Sequence, residues 1–201
     1  MIQSNSDNGD LTLSVLGLGH VGLPTALGFA ELGWNVIGAD DDLDKTRMLS
    51  AGQTTFYEPG IRELLEKHLA TGRFSVASDS ATAVKESDIL IQNFRPGTIE
   101  VMGFGYEELK KINSRIIMVN VSAYGQYGPY KDRVGFDPIG HAMGGLMTLT
   151  GEEGMPPIKT SFPLIDRITS LHATIGALAA LRDREISGEG QTIDVCLADT
   201  G

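Results

Sequence analysis

Residues 11–40, LTLSVLGLGHVGLPTALGFAELGWNVIGAD, decide the fold of the first part of the chain. The apolar run at 11–16 predicts a buried strand, and the G-x-G-x-x-G turn at 17–22 leads from it into a helix. A second apolar run at 35–39 predicts another buried strand, which ends at Asp40. The order of strand, glycine turn, helix and strand predicts a βαβ unit.

In that context the glycine turn predicts a binding site for the pyrophosphate of a dinucleotide. Gly17 permits a tight turn, Gly19 lets main-chain amides approach the phosphates, and Gly22 lets the helix pack closely on the strand. The start of the helix adds unpaired N–H groups and partial positive charge, and His20 and Val21 lie inside the turn. The alternative is a glycine turn of purely structural use.

The acidic end of the second strand predicts which dinucleotide binds. Asp40 is placed to accept hydrogen bonds from the two hydroxyls of an adenosine ribose. Asp41 and Asp42 add negative charge beside it, which would repel a phosphate on that ribose. The sequence therefore predicts NAD, and it argues against NADP and against the 3′-phosphate of coenzyme A at this turn.

The rest of the chain alternates between predicted helices and strands. Such alternation predicts an α/β fold with a Rossmann-like, mainly parallel sheet and helices on both faces, in three layers. We expect further strands at 74–77, 89–92 and 115–121, and helices at 44–49, 61–69, 81–86, 106–112, 138–149 and 166 to about 186.

Asp166 begins the last predicted helix, and two explanations of it are open on the residues alone. An aspartate at this place is often only an N-cap, whose oxygen accepts a backbone N–H. A carboxylate at a helix start can also attack a thioester as a nucleophile. We expect His141 and His172, on apolar helix faces, to be packing residues.

Composition narrows the classes of function. Of the 201 residues, 41% are hydrophobic, which is enough for a buried core, and the formal net charge of −10 opposes a nucleic-acid partner. Because no run of about 18 apolar residues occurs, we expect no membrane span. The polar residues 1–10 predict a disordered tail and no signal peptide. The single cysteine, Cys196, excludes an internal disulfide and a cysteine-built zinc site, so we expect a cytoplasmic protein with no metal centre.

Residues 11–90 resemble the N-terminal, NAD-binding domain of the UDP-glucose and GDP-mannose dehydrogenase family. The resemblance is carried by the segments LSVLGLGHVGLPTALGFAELGWNVIGADDDLDK, TTFYEPGIRELL and SDSATAVKESDIL. It implies that Asp40 and Lys45 contact the cofactor ribose and that Glu58 lies near the site. His20 stands where this family usually has tyrosine. After Leu90 the sequence IQNFRPG departs from the family, and Cys196 is in no motif that matches the family's catalytic cysteine.

From Ser87 onward the chain resembles a different family, the family III CoA-transferases. The matching segments are SDILIQNFRPGTIEVMGFGYEELKKINSRII, SAYGQYGPYKDRVGFDPIGHAMGGLMTLTGEEGMPP and FPLIDRITSLHATIGALAALRDREISGEGQTIDVCLADT. The resemblance implies that Asp166 is the nucleophile that forms an aspartyl-CoA thioester. It also implies that Asn93, Phe94 and Arg95 belong to a loop that contacts coenzyme A.

Two departures from that family affect the expected chemistry. Val101 replaces a commonly basic residue, which weakens any phosphate contact at that position. Phe136 stands where related acyl-CoA racemases have a histidine that carries a proton, so transfer is favoured over racemisation.

The sequence therefore predicts a truncated hybrid with a tail at 1–10, an NAD-binding unit at 11–90 and a partial CoA-transferase segment at 91–201. The favoured activity is acyl-CoA:carboxylate CoA transfer through Asp166. One alternative is oxidation of the CH–OH of a UDP- or GDP-sugar with NAD as acceptor, and another is a non-catalytic fragment that only binds nucleotide. We expect NAD and acyl-CoA as small-molecule ligands, and the second family implies a homodimer.

Overall fold

The computed structural model describes residues 11–77 and 79–201, so the tail predicted at 1–10 lies outside the described residues. The chain divides into two compact units, one ending at Ile91 and the other comprising Gln92–Gly201. The boundary falls in the segment 86–92, where the sequence resemblance changes from one family to the other.

The first unit contains a parallel sheet in the order β3-β2-β1-β4. The register pairs Leu13 of β1 with Val36 of β2 on one side and with Ile89 of β4 on the other. The elements are β1 (Thr12–Leu16), α1 (Gly22–Glu31), β2 (Asn35–Ala39), α2 (Leu43–Ser50), α3 (Ile61–Thr71), β3 (Phe74–Val76), α4 (Ser80–Lys85) and β4 (Ile89–Gln92), whose last residue belongs to the second unit.

The core of the first unit lies where α1 and α3 pack beside the sheet. Leu23 and Leu27 from α1, Leu65 from α3 and Phe74 from β3 are almost completely buried in one cluster. Burying a side chain of this size contributes about 1.5–3 kcal/mol relative to exposure. Gly33, with φ of +99°, turns the chain after α1 so that β2 can pair with β1.

The second unit contains the parallel strands β5 and β6, with the long helix α8 packed on both. An added Cβ at Gly176 of α8 would lie 2.9 Å from Cγ2 of Ile193, so the small residue sets how closely this helix approaches β6. The elements are α5 (Thr98–Val101), α6 (Tyr106–Ile112), β5 (Ile117–Ser122), α7 (Asp137–Met143), a 3₁₀ helix (Leu146–Leu149), α8 (Leu164–Ser187), β6 (Thr192–Cys196) and α9 (Leu197–Thr200).

The predicted fold class is confirmed: the chain is an α/β protein with a Rossmann-like, mainly parallel sheet and helices packed around it. Two details of the prediction were wrong. The helix expected at 138–149 is broken, because Gly145 adopts φ of +83° and a 3₁₀ helix follows. The helix expected to start at Asp166 starts two residues earlier, at Leu164. The strand β6 and the short helices α5 and α9 were not predicted.

By length and composition alone, α8 could cross a membrane, since its 24 residues include an 18-residue window with mean hydropathy of 1.2. A core helix of a soluble protein can pass the same test. The expectation of no membrane span therefore stays a prediction.

We predict that Gly22→Ala destabilises the protein by about 1–3 kcal/mol or more, the usual cost of overpacking. The added Cβ would lie 1.7 Å from the carbonyl oxygen of Gly17, which is main chain and has no room to move aside. Gly28→Ala, on the exposed side of the same helix, is the matched control, because nothing lies within 4 Å of its added Cβ. Urea unfolding followed by circular dichroism should show a lower midpoint for the first variant and an equal or higher one for the second. Equal midpoints for both would contradict the packing described.

Candidate functional site

The glycine turn is fixed by main-chain contacts and leaves space above one of its glycines. Gly17 has φ of +88°, and its N–H donates to the carbonyl of Ala39 at 2.8 Å, which ties the turn to the end of β2. Gly22 is required by packing, as its contact with Gly17 shows. Packing does not require glycine at position 19, because an added Cβ there would meet nothing within 4 Å. Packing within the chain therefore explains Gly17 and Gly22, whereas Gly19 leaves room for another molecule.

Asp40 holds the turn from the other side. Its Oδ2 accepts hydrogen bonds from the backbone N–H of Leu18 and from Nζ of Lys45, both at 2.7 Å, and its Oδ1 accepts from the N–H of Asp42 at 3.0 Å. The side chain is only 4% exposed. The structure thus brings together Asp40 and Lys45, the two residues predicted to contact a ribose.

These contacts determine the ionisation of Asp40. Burial opposes the charged form, but the hydrogen bonds from Lys45, Asp42 and Leu18, together with the charge of Lys45, outweigh it. The pKa of Asp40 is therefore lowered from its ordinary value, and the carboxylate is charged at neutral pH.

The three consecutive aspartates at 40–42 differ in what they contact. The Oδ1 of Asp42 accepts from the N–H groups of Asp44 and Lys45, both at 3.0 Å, which caps α2. Asp41 is exposed. All three carboxylates lie at the end of β2, so the negative charge predicted there is present.

His20 connects the glycine turn to the loop before α3. Its ring lies against Phe56, with the ring centroids 4.2 Å apart. Phe56 and Glu58 belong to a segment, 54–63, that lines a cavity of about 540 Å³. Val21, the other predicted turn residue, is 65% exposed.

In the second unit, a chain of buried amides fixes the start of the loop predicted to contact coenzyme A. The N–H of Phe94 donates to Oε1 of Gln92, and Nε2 of Gln92 donates to Oδ1 of Asn120, both at 2.7 Å. Nδ2 of Asn120 donates in turn to Oγ1 of Thr192 on β6 at 2.8 Å. Asn93 and Arg95 are exposed on this loop.

A cavity of about 560 Å³ adjoins the same loop. Its lining includes aromatic, amide and charged residues, among them Tyr106, Asn120, Tyr127, Asp132 and Asp194, and its acidic residues outnumber its basic ones. Among the residues that the structure describes, no hydrogen bond or ion pair joins this loop to Asp166, and no group of three or more His, Cys, Asp or Glu residues is arranged to hold a metal ion.

Asp166 lies in the first turn of α8, but it does not cap the helix. Instead, Oδ1 of Asp137 accepts from the N–H groups of Ile165 at 2.8 Å and of Asp166 at 3.1 Å. These are two of the N–H groups that a helix start leaves without an intrahelical partner. The N-cap explanation of Asp166 is therefore wrong, and no hydrogen bond reaches its carboxylate from the described residues.

The capping carboxylate is itself held by His141, one turn further along α7. Nε2 of His141 lies 3.2 Å from Oδ2 of Asp137, and both side chains are buried. His141 is thus part of a polar pair and not only a packing residue, while His172 is exposed, with Nδ1 2.9 Å from the carbonyl of Ile168. Sequence analysis missed Asp137, although an Asp-Pro pair with a histidine four residues later is a signal that could have indicated it.

The surroundings of Asp166 make its carboxylate more basic. Burial, followed by the negative charge of Asp137, raises its pKa from the ordinary value, and His141 acts in the opposite direction. A more basic carboxylate is a better nucleophile once ionised.

The parallel strands and the glycine turn define a Rossmann-like α/β protein. The chain belongs to CoA-transferase family III, because the model of that family matches residues 77–201. Residues 11–93 match the model of the UDP-glucose/GDP-mannose dehydrogenase family, NAD binding domain. Both resemblances seen in the sequence are therefore confirmed.

Three relatives illustrate these matches. The succinyl-CoA–L-malate CoA-transferase beta subunit of Chloroflexus aurantiacus is 49% identical over 118 residues, 58% of this chain and 29% of that protein. Formyl-CoA:oxalate CoA-transferase of Escherichia coli is 32% identical over 171 residues, 79% of this chain and 41% of that protein. The crystal structure of a CAIB/BAIF family protein from Brucella suis is 27% identical, with a TM-score of 0.71 over 94% of this chain and 53% of that chain. The chain thus spans about half of the solved neighbour and less than half of these two curated relatives.

We predict that Asp40→Asn lowers the free energy of unfolding at neutral pH, because it removes the charge that pairs with Lys45. Since the pKa of Asp40 is lowered in the folded state, the carboxylate stabilises the fold above the ordinary pKa of aspartate. That contribution is lost as the pH falls through the lowered pKa. The difference between wild type and variant in urea unfolding should therefore shrink on acidification. Asp41→Asn, an exposed neighbour, should leave stability unchanged at every pH; a pH-independent difference for Asp40→Asn would contradict the ionisation described.

Proposed function

We propose that Asp166 is the nucleophile of an acyl-CoA:carboxylate CoA-transferase site in residues 92–201. The observation that carries the proposal is a carboxylate in the first turn of α8 whose pKa is raised and which no described residue hydrogen-bonds, because Asp137 caps the helix in its place. Membership of CoA-transferase family III and the likeness to transferases acting on succinyl-CoA and formyl-CoA support it.

The proposed reaction is balanced without an added proton or redox partner. An oxygen of the Asp166 carboxylate attacks the thioester carbonyl, the C–S bond breaks, and a mixed anhydride and the CoA thiolate result. The thiolate then attacks Cγ of Asp166, the donor acid leaves as its carboxylate, and an aspartyl-CoA thioester remains. Attack by an acceptor carboxylate reverses these two steps and releases the new acyl-CoA.

We propose that the loop Asn93–Phe94–Arg95 contacts coenzyme A. Arg95 offers an exposed cation for a phosphate, while Val101, 89% exposed, offers none. The neighbouring cavity is lined by Glu100, Asp132 and Asp194 with Lys131 as the cation, so its charge is unfavourable for polyphosphate.

A second function is supported by the glycine turn: we propose that residues 11–90 bind NAD through Gly17, Gly19, His20, Val21, Gly22, Asp40 and Lys45. The residues fit the cofactor, because the space at Gly19 is open and the charged Asp40 lies at the end of β2. When bound, NAD supplies a hydride acceptor. The alternative of a UDP- or GDP-sugar oxidoreductase requires that chemistry, and the alternative of a nucleotide-binding fragment requires only binding.

Further proposals concern partners and location. The net charge of −10 supports small-molecule ligands over nucleic acid. The buried, free thiol of Cys196 supports a reducing, cytoplasmic location. The exposed apolar residues of α8, Leu171, Ile175, Leu178 and Ile186, are compatible with the proposed homodimer.

We predict that NAD raises the melting temperature, by an amount that grows with the ratio of its concentration to its Kd. NADP and coenzyme A at equal concentration should not raise it through the glycine turn. Gly19→Val should keep the melting temperature of the free protein, since an added Cβ at Gly19 meets nothing within 4 Å, and should abolish the shift with NAD. Gly28→Val, on the exposed side of α1, serves as the control and should keep the shift. Stabilisation of wild type by NADP as strong as by NAD, or a shift retained in Gly19→Val, would overturn the assignment.

Incubation with succinyl-CoA followed by hydroxylamine should convert Asp166 into a hydroxamate detectable by peptide mass spectrometry. Asp166→Asn should abolish the labelling, and Asp183→Asn, an exposed aspartate of the same helix, should keep it. Absence of label in wild type with succinyl-CoA and formyl-CoA would contradict the transferase proposal. Reduction of NAD on addition of UDP-glucose or GDP-mannose would instead favour the oxidoreductase, and NAD binding with neither reaction would favour the non-catalytic fragment.

A further inference from the structure

One buried carboxylate contacts both the helix that carries Asp166 and the interior of the second unit. Asp137 directs Oδ1 to the N–H groups of Ile165 and Asp166 and Oδ2 to Nε2 of His141. Its side chain is 8% exposed, and that of His141 is fully buried. One oxygen of this carboxylate therefore holds the start of α8, and the other contacts His141.

We infer that Asp137 is a positioning residue for Asp166: it replaces the side chain of Asp166 as the cap of α8 and keeps that carboxylate free and facing a fixed negative charge. The inference rests on the proposed function only in giving Asp166 a catalytic role. The capping contact itself is independent of any reaction.

His141 fixes the orientation of Asp137. Oγ1 of Thr160 lies 3.3 Å from Nε2 of His141 and donates its own proton to the carbonyl of Phe162 at 2.8 Å. Both neighbours of Nε2 are thus acceptors, which assigns the ring proton to Nε2. Nδ1 is buried with no hydrogen-bond partner among the described residues.

The charges that act on Asp166 come mainly from α7. Asp137 raises its pKa and His141 lowers it, in addition to the effect of burial. Arg167, next to Asp166 on α8, lies over the ring of Phe162 at 5.1 Å. On the other elements packed against α8, Asp199 of α9 acts on the Cys196 thiol and Asp194 of β6 accepts from the N–H of Gln126.

The substitution Asp137→Asn keeps an oxygen that can cap α8 but removes the negative charge beside Asp166. Its Oδ1 can accept from Ile165 and Asp166, and its NH₂ can donate to Nε2 of His141 in the other tautomer. We expect this variant to fold and the titration midpoint of the Asp166 carboxyl, followed by ¹³C NMR and assigned with Asp166→Asn, to move to lower pH because a like charge is gone. The acid limb of hydroxylamine labelling should move in the same direction. Asp183→Asn should move neither.

Asp137→Ala removes the cap as well. It should accelerate hydrogen exchange of the Ile165 and Asp166 amides and lower the melting temperature, while Asp137→Asn should keep both amides protected. An unchanged Asp166 midpoint in Asp137→Asn, or equal amide exchange in both variants, would overturn the inference. If the Asp166 midpoint moves but wild type is not labelled, the transferase proposal fails and the positioning role stands. If wild type is labelled but the midpoint does not move, the positioning role fails and the transferase proposal stands.

Discussion

The need to satisfy backbone N–H groups where a turn or a helix begins is the constraint on which both units depend. Each unit meets it with a buried carboxylate from a distant part of the chain. Asp40 accepts from Leu18 in the glycine turn, and Asp137 accepts from Ile165 and Asp166 at the start of α8. An unsatisfied buried N–H costs about 1–3 kcal/mol, so these contacts fix the local backbone firmly. At α8 the capping group is Asp137 and not the proposed nucleophile Asp166, whereas in the glycine turn Asp40 is both the acceptor for Leu18 and a proposed ligand contact.

The hydrogen-bond donors around each aspartate also determine how readily that aspartate ionises. Asp40 receives three N–H donors, including the ammonium of Lys45, and its ionised form is stabilised. Asp166 receives none from the described residues and faces the charge of Asp137, so its ionised form is less favoured. The same residue type is thereby suited to two tasks, because the donors around it differ. A stabilised carboxylate is a hydrogen-bond acceptor of fixed charge, whereas a destabilised one gains more by forming a bond to carbon.

Local sequence predicted the parts of the fold that local interactions determine. The glycine spacing and apolar runs located β1, α1 and β2, because these patterns reflect strand and helix periods directly. The break of the helix expected at 138–149 depends on Gly145 adopting a left-handed conformation, which composition does not require. Asp137 was missed because its contact joins residues 28 positions apart. The residues proposed for NAD lie in adjacent elements, whereas the surroundings of Asp166 require tertiary contacts that a single sequence does not reveal.

The two proposed ligands share adenosine diphosphate, so the chain needs a physical basis for distinguishing them. The difference is a phosphate on the ribose, present in coenzyme A and absent from NAD. At the end of β2, Lys45 is already paired with Asp40 at 2.7 Å, and Asp41 and Asp42 add uncompensated charge. Among the described residues, Lys45 and Arg47 beside this corner are each paired with an aspartate, and repulsion between like charges at short range disfavours a ribose phosphate. The proposed coenzyme A site therefore needs its phosphate contacts elsewhere, and the exposed Arg95 of the second unit is the cation that we propose for them.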